Sequence, residues 1–168
     1  MIATIDFEAS GLNGYPIEVG VAIHTPGHDQ ISVWSSLIRP PAGWLQTMSW
    51  DPDAFDVHGI ARADLKNAPS AWDVARSLNA LLAPCEVAYC DGYAFDRLWL
   101  RLLVEECPDP CSFDLQGADR LARRLNIVAG ALLPNDADDP VTHRAGPDAE
   151  RLLRRALTAQ HARVTELR

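Results

Sequence analysis

Residues 3–12 read ATIDFEASGL, and the pair of acids on either side of Phe7 is the feature on which the fold turns. Ile2, Ala3, Thr4 and Ile5 form an apolar lead-in, so the segment 2–7 is expected to be a buried strand. Side chains at i and i+2 of a strand share one face, so Asp6 and Glu8 project together while Phe7 packs into the core behind them. Two like charges about 4 Å apart repel by roughly 4 kcal/mol at an effective dielectric of 20, a cost that a cation removes. A strand end with both acids in water is the simpler reading of these ten residues alone, and the rest of the chain bears on the choice.

Moving outward, PIEVGVAIH (16–24) and QISVWSSLIR (30–39) read as two further strands joined through the turn-rich TPGHD, an antiparallel start. The stretch 40–57, rich in Pro, Trp and Asp, reads as an irregular loop with a short helical turn. SAWDVARSLNALLA (70–83) has a Ser cap and apolar residues at helical spacing, and EVAYC (86–90) is a short strand. AFDRLWLRLLVEE (94–106) is a periodic helix stopped by Pro108. CSFDL (111–115) is expected as a strand, GADRLARRLN (117–126) as a helix and 130–144 as a loop. GPDAERLLRRALTAQHARV (146–164) is the last helix, with Pro147 in its first turn. Strands followed by alternating helices and strands predict an α/β domain with a mixed sheet covered by helices.

The 168 residues suit one domain, here 1–168, and suffice to bury a core. The hydrophobic (48%) and charged (23%) fractions are those of a globular chain, not a disordered one. No apolar run is long enough to span a bilayer, and Asp6 and Glu8 interrupt the place where a signal peptide's apolar segment would lie. The expected setting is the cytoplasm, with no membrane partner. Cys85, Cys90, Cys107 and Cys111 do not form paired C-x-x-C knuckles, so they are expected as reduced, partly buried thiols. A net charge of −8 excludes a broad basic surface that grips long nucleic acid. It leaves room for a short nucleic-acid substrate at an acidic site filled by cations, because bound ions invert the local charge logic.

Three more residues join the opening pair. Asp96 begins the helix after 86–90, and His143 and Asp148 stand where the last helix starts. Strand ends and helix N-termini converge on one edge of an α/β sheet. Asp6, Glu8, Asp96 and Asp148 together offer hard oxygen ligands suited to two Mg²⁺ or Mn²⁺ ions, and His143 can deprotonate a water. Singly, Asp96 and Asp148 read as acids favoured at helix N-termini by about 0.3–1 kcal/mol, and His143 as an ordinary loop histidine. Their joint occurrence at these spacings is what capping does not account for.

At these residues the chain resembles the DnaQ-like 3′–5′ exonucleases of the DEDDh type, which have a ribonuclease H-like fold. DFEASGL resembles their first motif, PIEVGVAI their second strand, FDVHGI a common V-H-G-I segment, AFDRLWL the second motif and HRAGPDA the third. The likeness runs from Ile5 to Ala149. It implies a mixed five-stranded sheet, its first three strands antiparallel, flanked by helices. It also implies a two-metal-ion 3′–5′ exonuclease on single-stranded or short nucleic acid, RNA or DNA, that releases nucleoside 5′-monophosphates. By the same resemblance Asp6 bridges two ions, Glu8 and Asp148 ligate directly, Asp96 holds the second ion through water, and His143 is the general base. Ala9 and Ser10 would face the 3′-terminal nucleotide with their backbone amides, and Leu12 would wedge against its base. Relatives acting on RNA ends are often homodimers, which implies a homodimer as one assembly for this chain. A DNA proofreading subunit and a catalytically silent nucleic-acid-binding scaffold of the same fold are the rival roles.

One departure stands out. Where the family often has His-Asn, with an Asn that holds the substrate backbone, this chain has Asp91 and Gly92. An acid at 91 opposes an incoming phosphate unless it points away. Of the remaining candidates, Arg144 has the best claim to a phosphate, while Arg120, Arg123 and Arg124 read as a solvated helix face. His58 is expected near the site as a packing or hydrogen-bonding residue, and His24, His28 and His161 at the surface. Trp72 and Trp99 are expected in the core, with Trp44 and Trp50 the two considered for base stacking or a partner surface.

Overall fold

The computed structural model describes residues 1–133 and 142–166. At its centre is a five-stranded sheet in the order β3-β2-β1-β4-β5. Strand β1 (Ile2–Ala9) pairs antiparallel with β2 (Pro16–His24), and β2 antiparallel with β3 (Ile31–Leu37). On its other side β1 pairs parallel with β4 (Val87–Cys90), which pairs parallel with β5 (Asp114–Gly117). This is the mixed sheet the sequence predicts, with its first three strands antiparallel.

The two faces of β1 have different partners. Ala3, Ile5 and Phe7 are buried in the main core, against α3 (Ala71–Leu82) and α4 (Tyr93–Glu105). Ser70 caps α3 by accepting the Asp73 N–H at 3.2 Å, as its sequence position suggests. Thr4, Asp6 and Glu8 face the other way, toward α6 (Ala145–Glu166). There Thr4 Oγ1 donates to the Ala149 carbonyl at 2.6 Å, tying the first strand to the last helix. The approach is close because Gly20, opposite Asp6 on β2, has no side chain. A Cβ there would lie 2.1 Å from the Ala145 carbonyl carbon. Helix α5 (Ala118–Leu125) covers the β4 side of the same face.

Several boundaries differ from the sequence reading. The stretch 40–57 holds two short helices, α1 (Ala42–Thr47) and α2 (Ala54–His58), where one helical turn is expected. The strand expected at 111–115 instead runs Asp114–Gly117. Ser112 is held by α3, its N–H donating to Asn79 Oδ1 at 3.1 Å and its Oγ to the Asn79 carbonyl at 2.8 Å. Ladder pairing therefore begins only at Asp114, opposite Val87. Of the loop expected over 130–144, residues 134–141 lie outside the described part. Cys85, Cys90 and Cys107 are buried, Cys111 is exposed, and all four are free thiols. Among the described residues no helix is long and apolar enough to cross a membrane.

Candidate metal and nucleic-acid site

The C-terminal end of β1 carries the opening pair to the sheet edge. Asp6 is half-buried and Glu8 is buried, and the β1–β2 register slips between Glu8 and Ala9 just beyond them. The start of α4 brings Asp96, 2% exposed, its N–H donating to the Gly92 carbonyl at 3.1 Å. Asp96 Oδ2 is buried with no hydrogen-bond partner among the described residues, and the neighbouring Cys90 thiol points its donor at the Gln116 carbonyl, 3.7 Å away.

The start of α6 brings the rest. A short loop wraps the buried Asp148: the Thr142 N–H and Oγ1 both donate to Oδ1 at 3.1 Å, and the Arg144 N–H donates to Oδ2 at 3.2 Å. Between these donors His143 adopts a left-handed backbone (φ 52°), and its side chain is exposed. The five residues that the sequence singles out thus come together at one sheet edge.

Their ligand atoms sort into two trios, each with all its atoms within 4.8 Å of one another. Glu8, His143 and Asp148 form one; Asp6, Asp96 and Asp91 form the other. The sequence reading does not count Asp91 among the ligands, and the structure puts its carboxylate beside those of Asp6 and Asp96. At such spacing, each pair of ionised carboxylates repels by about 3–4 kcal/mol at an effective dielectric of 20. Without a cation, protons take the ion's place. Burial, then the charges of Asp148 and Glu18, push Glu8 up to about 8. Burial pushes Asp96 up to about 7, with the charge of Asp91 adding to it and the Cys90 thiol and Gly92 N–H opposing it. Asp6 is raised well above the usual carboxylate range by burial and by Asp96, Glu8, Asp91 and Asp148. The donor set fits hard divalent cations: it is carboxylate oxygen with one imidazole, and one buried oxygen lacks any other partner.

Beside Glu8 lies a cleft of about 260 Å³ lined by Phe7, Ala9, Leu12, Val57, His58 and Trp99, among others. Leu12 is 66% exposed there. His58 sits in its wall as a hydrogen-bonding residue, with Nδ1 accepting the Ile60 N–H at 3.0 Å and burial lowering its pKa. A larger cleft, about 720 Å³, lies at the opposite end of β2, lined by His24, His28 and His161. Ligand-spaced acids are found at the β1 end instead.

Several sequence expectations are corrected here. The Ser10 amide is not free for a nucleotide: its N–H donates to the Tyr15 carbonyl at 2.9 Å, and its Oγ accepts the Tyr15 N–H at 3.0 Å, closing the turn after β1. Arg144 is bound to Glu18 through two hydrogen bonds of 3.0 and 2.7 Å, so its charge is already paired. Trp44 is buried beside Tyr15 and offers no stacking face. Trp50 is held edge-on to His58 under the Arg62 guanidinium. Trp72, expected in the core, is 41% exposed beneath Arg76. Trp99, also expected there, is half-buried and packs against the main core, while it also stacks on Phe95 and forms part of the cleft wall. The sequence reading missed Glu18 altogether. A lone acid in an otherwise apolar strand of residues 16–24 is the signal that could have found it.

Sheet order and strand directions give a mixed five-stranded α/β fold that solved exonuclease structures share. The solved structures similar to this chain have that fold. One is Exonuclease X in complex with 5′ overhanging duplex DNA, 22% identical, with a TM-score of 0.64 over 96% of this chain and 92% of that one. A second is a 3′-exonuclease in a structure of 3′-end-specific recognition of the histone mRNA stem-loop, 14% identical with a TM-score of 0.67. It is matched over 96% of this chain and 63% of that one. A third, a full-length 3′-exonuclease, is 13% identical with a TM-score of 0.63, over 96% and 60% of the two chains. No protein-family model and no curated protein matches the sequence.

Proposed function

We propose that this chain is a metal-dependent 3′–5′ exonuclease, with residues 1–168 as one catalytic domain, that shortens single-stranded or short nucleic acid and releases nucleoside 5′-monophosphates. The observation that carries the reading is the convergence of Asp6 with Asp96, and of Glu8 with His143 and Asp148, at the edge of an exonuclease-like sheet. Asp6, Glu8, Asp96 and Asp148 hold two Mg²⁺ or Mn²⁺ ions. When bound, such ions stabilise the attacking and leaving oxygens of a phosphodiester hydrolysis.

The chain's own residues do the remainder. His143, exposed beside Glu8 and Asp148, accepts the proton of the water that attacks the terminal phosphorus. The bond to the 3′ oxygen of the penultimate nucleotide breaks, leaving a new 3′-hydroxyl on the shortened strand. Leu12 and Trp99 give the terminal base an apolar cleft beside Glu8. With a net charge of −8, the protein grips substrate through this local site and not through an extended basic face.

The test is incubation with Mn²⁺ and 5′-labelled single-stranded RNA and DNA of matched sequence, with EDTA and Asp6→Ala as controls. A ladder descending from the 3′ end, lost in both controls, is expected. No shortening of either strand by a folded sample that binds Mn²⁺ would overturn the exonuclease reading.

A further inference from the structure

Asp91 is the acid that the proposed catalytic set leaves unused, and three observations place it in the site. The first is strand register. β4 ends at Cys90, and Asp91 is the next residue; continuing the offset of the parallel pairs Ala3↔Ala88 and Thr4↔Tyr89 past the strand end brings Asp91 level with Asp6. The second is spacing: carboxylate oxygens of Asp6, Asp91 and Asp96 all lie within 4.8 Å of one another. Oxygens bound to one Mg²⁺ at about 2.1 Å are at most about 4.2 Å apart, so the trio lies near the span of a single ion's shell. The third is an orphan. Asp96 Oδ2, in a side chain only 2% exposed, has no hydrogen-bond partner among the described residues, and a cation is a group that would satisfy it.

We propose that Asp91 is a third carboxylate ligand of the cation held by Asp6 and Asp96, so that this ion sits in an all-aspartate site. The inference rests on the two-cation reading above and adds a residue to it. It also resolves the conflict that an acid at this position creates. An unneutralised Asp91 would repel the phosphate of a substrate, whereas a ligated one has its charge met by the ion. Asp91 is exposed, so it closes the site from the solvent side while Asp96 closes it from within. Three anionic oxygens also favour a hard cation over Zn²⁺.

The experiment is titration of the full chain with Mn²⁺ alone, no nucleic acid present, with free Mn²⁺ followed by electron paramagnetic resonance. Asp91→Asn and Asp96→Asn are run beside the wild type, and thermal unfolding of each is recorded in EDTA and in Mn²⁺. The wild type is expected to bind two ions. Asp91→Asn is expected to raise the Kd of one ion tenfold or more and leave the other unchanged, since loss of even an outer-shell partner costs roughly 10–100-fold. In EDTA the variant should melt no lower than the wild type, because it removes a like charge. In Mn²⁺ its gain in Tm should be smaller. Two ions bound by Asp91→Asn with wild-type affinities would overturn the assignment of Asp91 alone. An equal weakening of both ions would also overturn it, since that is the mark of a distant charge. Failure of the wild type to bind any Mn²⁺ would remove the two-cation reading itself, and Asp91 with it.

Discussion

Glu18 and Arg144 form a two-point ion pair across 126 residues of sequence, Nε to Oε2 at 3.0 Å and a terminal guanidinium nitrogen to Oε1 at 2.7 Å. Glu18 is 3% exposed and also accepts the Ala145 N–H at 3.0 Å, so one carboxylate on β2 fixes both the side chain before α6 and the helix's first amide. Because the Arg144 N–H in turn donates to Asp148, the pair sets the position of the third acidic motif relative to the first.

Arg144→Ala should therefore act through structure. It leaves a buried carboxylate short of its cation, next to Glu8, which already feels Glu18 as a like charge. A loss of about 1.5–3 kcal/mol is expected, the range for hydrogen bonds to charged groups, read as a fall in Tm. Arg144→Lys, a point charge without the planar fork, should recover part of it. A Tm unchanged in Arg144→Ala, with KM alone raised, would instead return Arg144 to the role of a phosphate contact.

Gly20→Ala tests how closely α6 must approach the sheet. The added methyl would meet the Ala145 carbonyl carbon at 2.1 Å and the Gly146 nitrogen at 2.2 Å, both backbone atoms at a helix start that cannot rotate away. Overpacking of this kind costs about 1–3 kcal/mol or more, and here it also moves Asp148 and His143 away from Glu8. The expected result is a lower Tm together with weaker Mn²⁺ binding. Weaker thermal stability with unchanged Mn²⁺ affinity would show that the helix start adjusts without disturbing the ligands.

Local chemistry made the outline of this structure legible in the sequence. Alternation in residues 2–9 put Asp6 and Glu8 on one face and Phe7 on the other, and the Ser70 cap and apolar spacing marked α3. Residues whose role depends on a distant partner were not legible. Arg144 reads as a free cation until Glu18, on another strand, is known to face it. Asp91 reads as an acid that opposes a phosphate until its carboxylate is found beside those of Asp6 and Asp96. Trp72 has the same helical periodicity as core residues, yet it ends at the surface. The expected strand at 111–115 failed for the same reason: Asn79, 33 residues upstream, holds Ser112 out of the ladder.

His143→Asn separates chemistry from folding. The imidazole is exposed and its backbone is left-handed, a conformation that Asn adopts with little cost, so stability should stay within about 0.5 kcal/mol of wild type, with Tm nearly unchanged. Loss of the proposed general base should slow hydrolysis by about 10²–10⁴-fold with the substrate end still bound. An activity within a few-fold of wild type would assign the proton transfer elsewhere.

The crowded acids also predict how stability depends on pH when metal is removed. Glu8 has an ordinary value of 4.5 and rises to about 8 in the folded chain; Asp96 goes from 3.8 to about 7. Between these limits the native state binds more protons than the unfolded one, so stability falls as pH rises. In EDTA, then, Tm should decline from about pH 5 to pH 8, the reverse of the trend expected for carboxylates held by salt bridges. Each kcal/mol lost corresponds to roughly 2–4 °C in a chain of this size. Saturating Mg²⁺ or Mn²⁺ should cancel the decline, because a cation that binds the ionised acids of the folded state alone stabilises it more as those acids lose their protons. Differential scanning calorimetry at four or five pH values, with and without metal, checks both slopes. A metal-free Tm that is flat or rising over this interval would mean that the carboxylates ionise at ordinary pH and that the edge of the sheet is more open to water than its burial indicates.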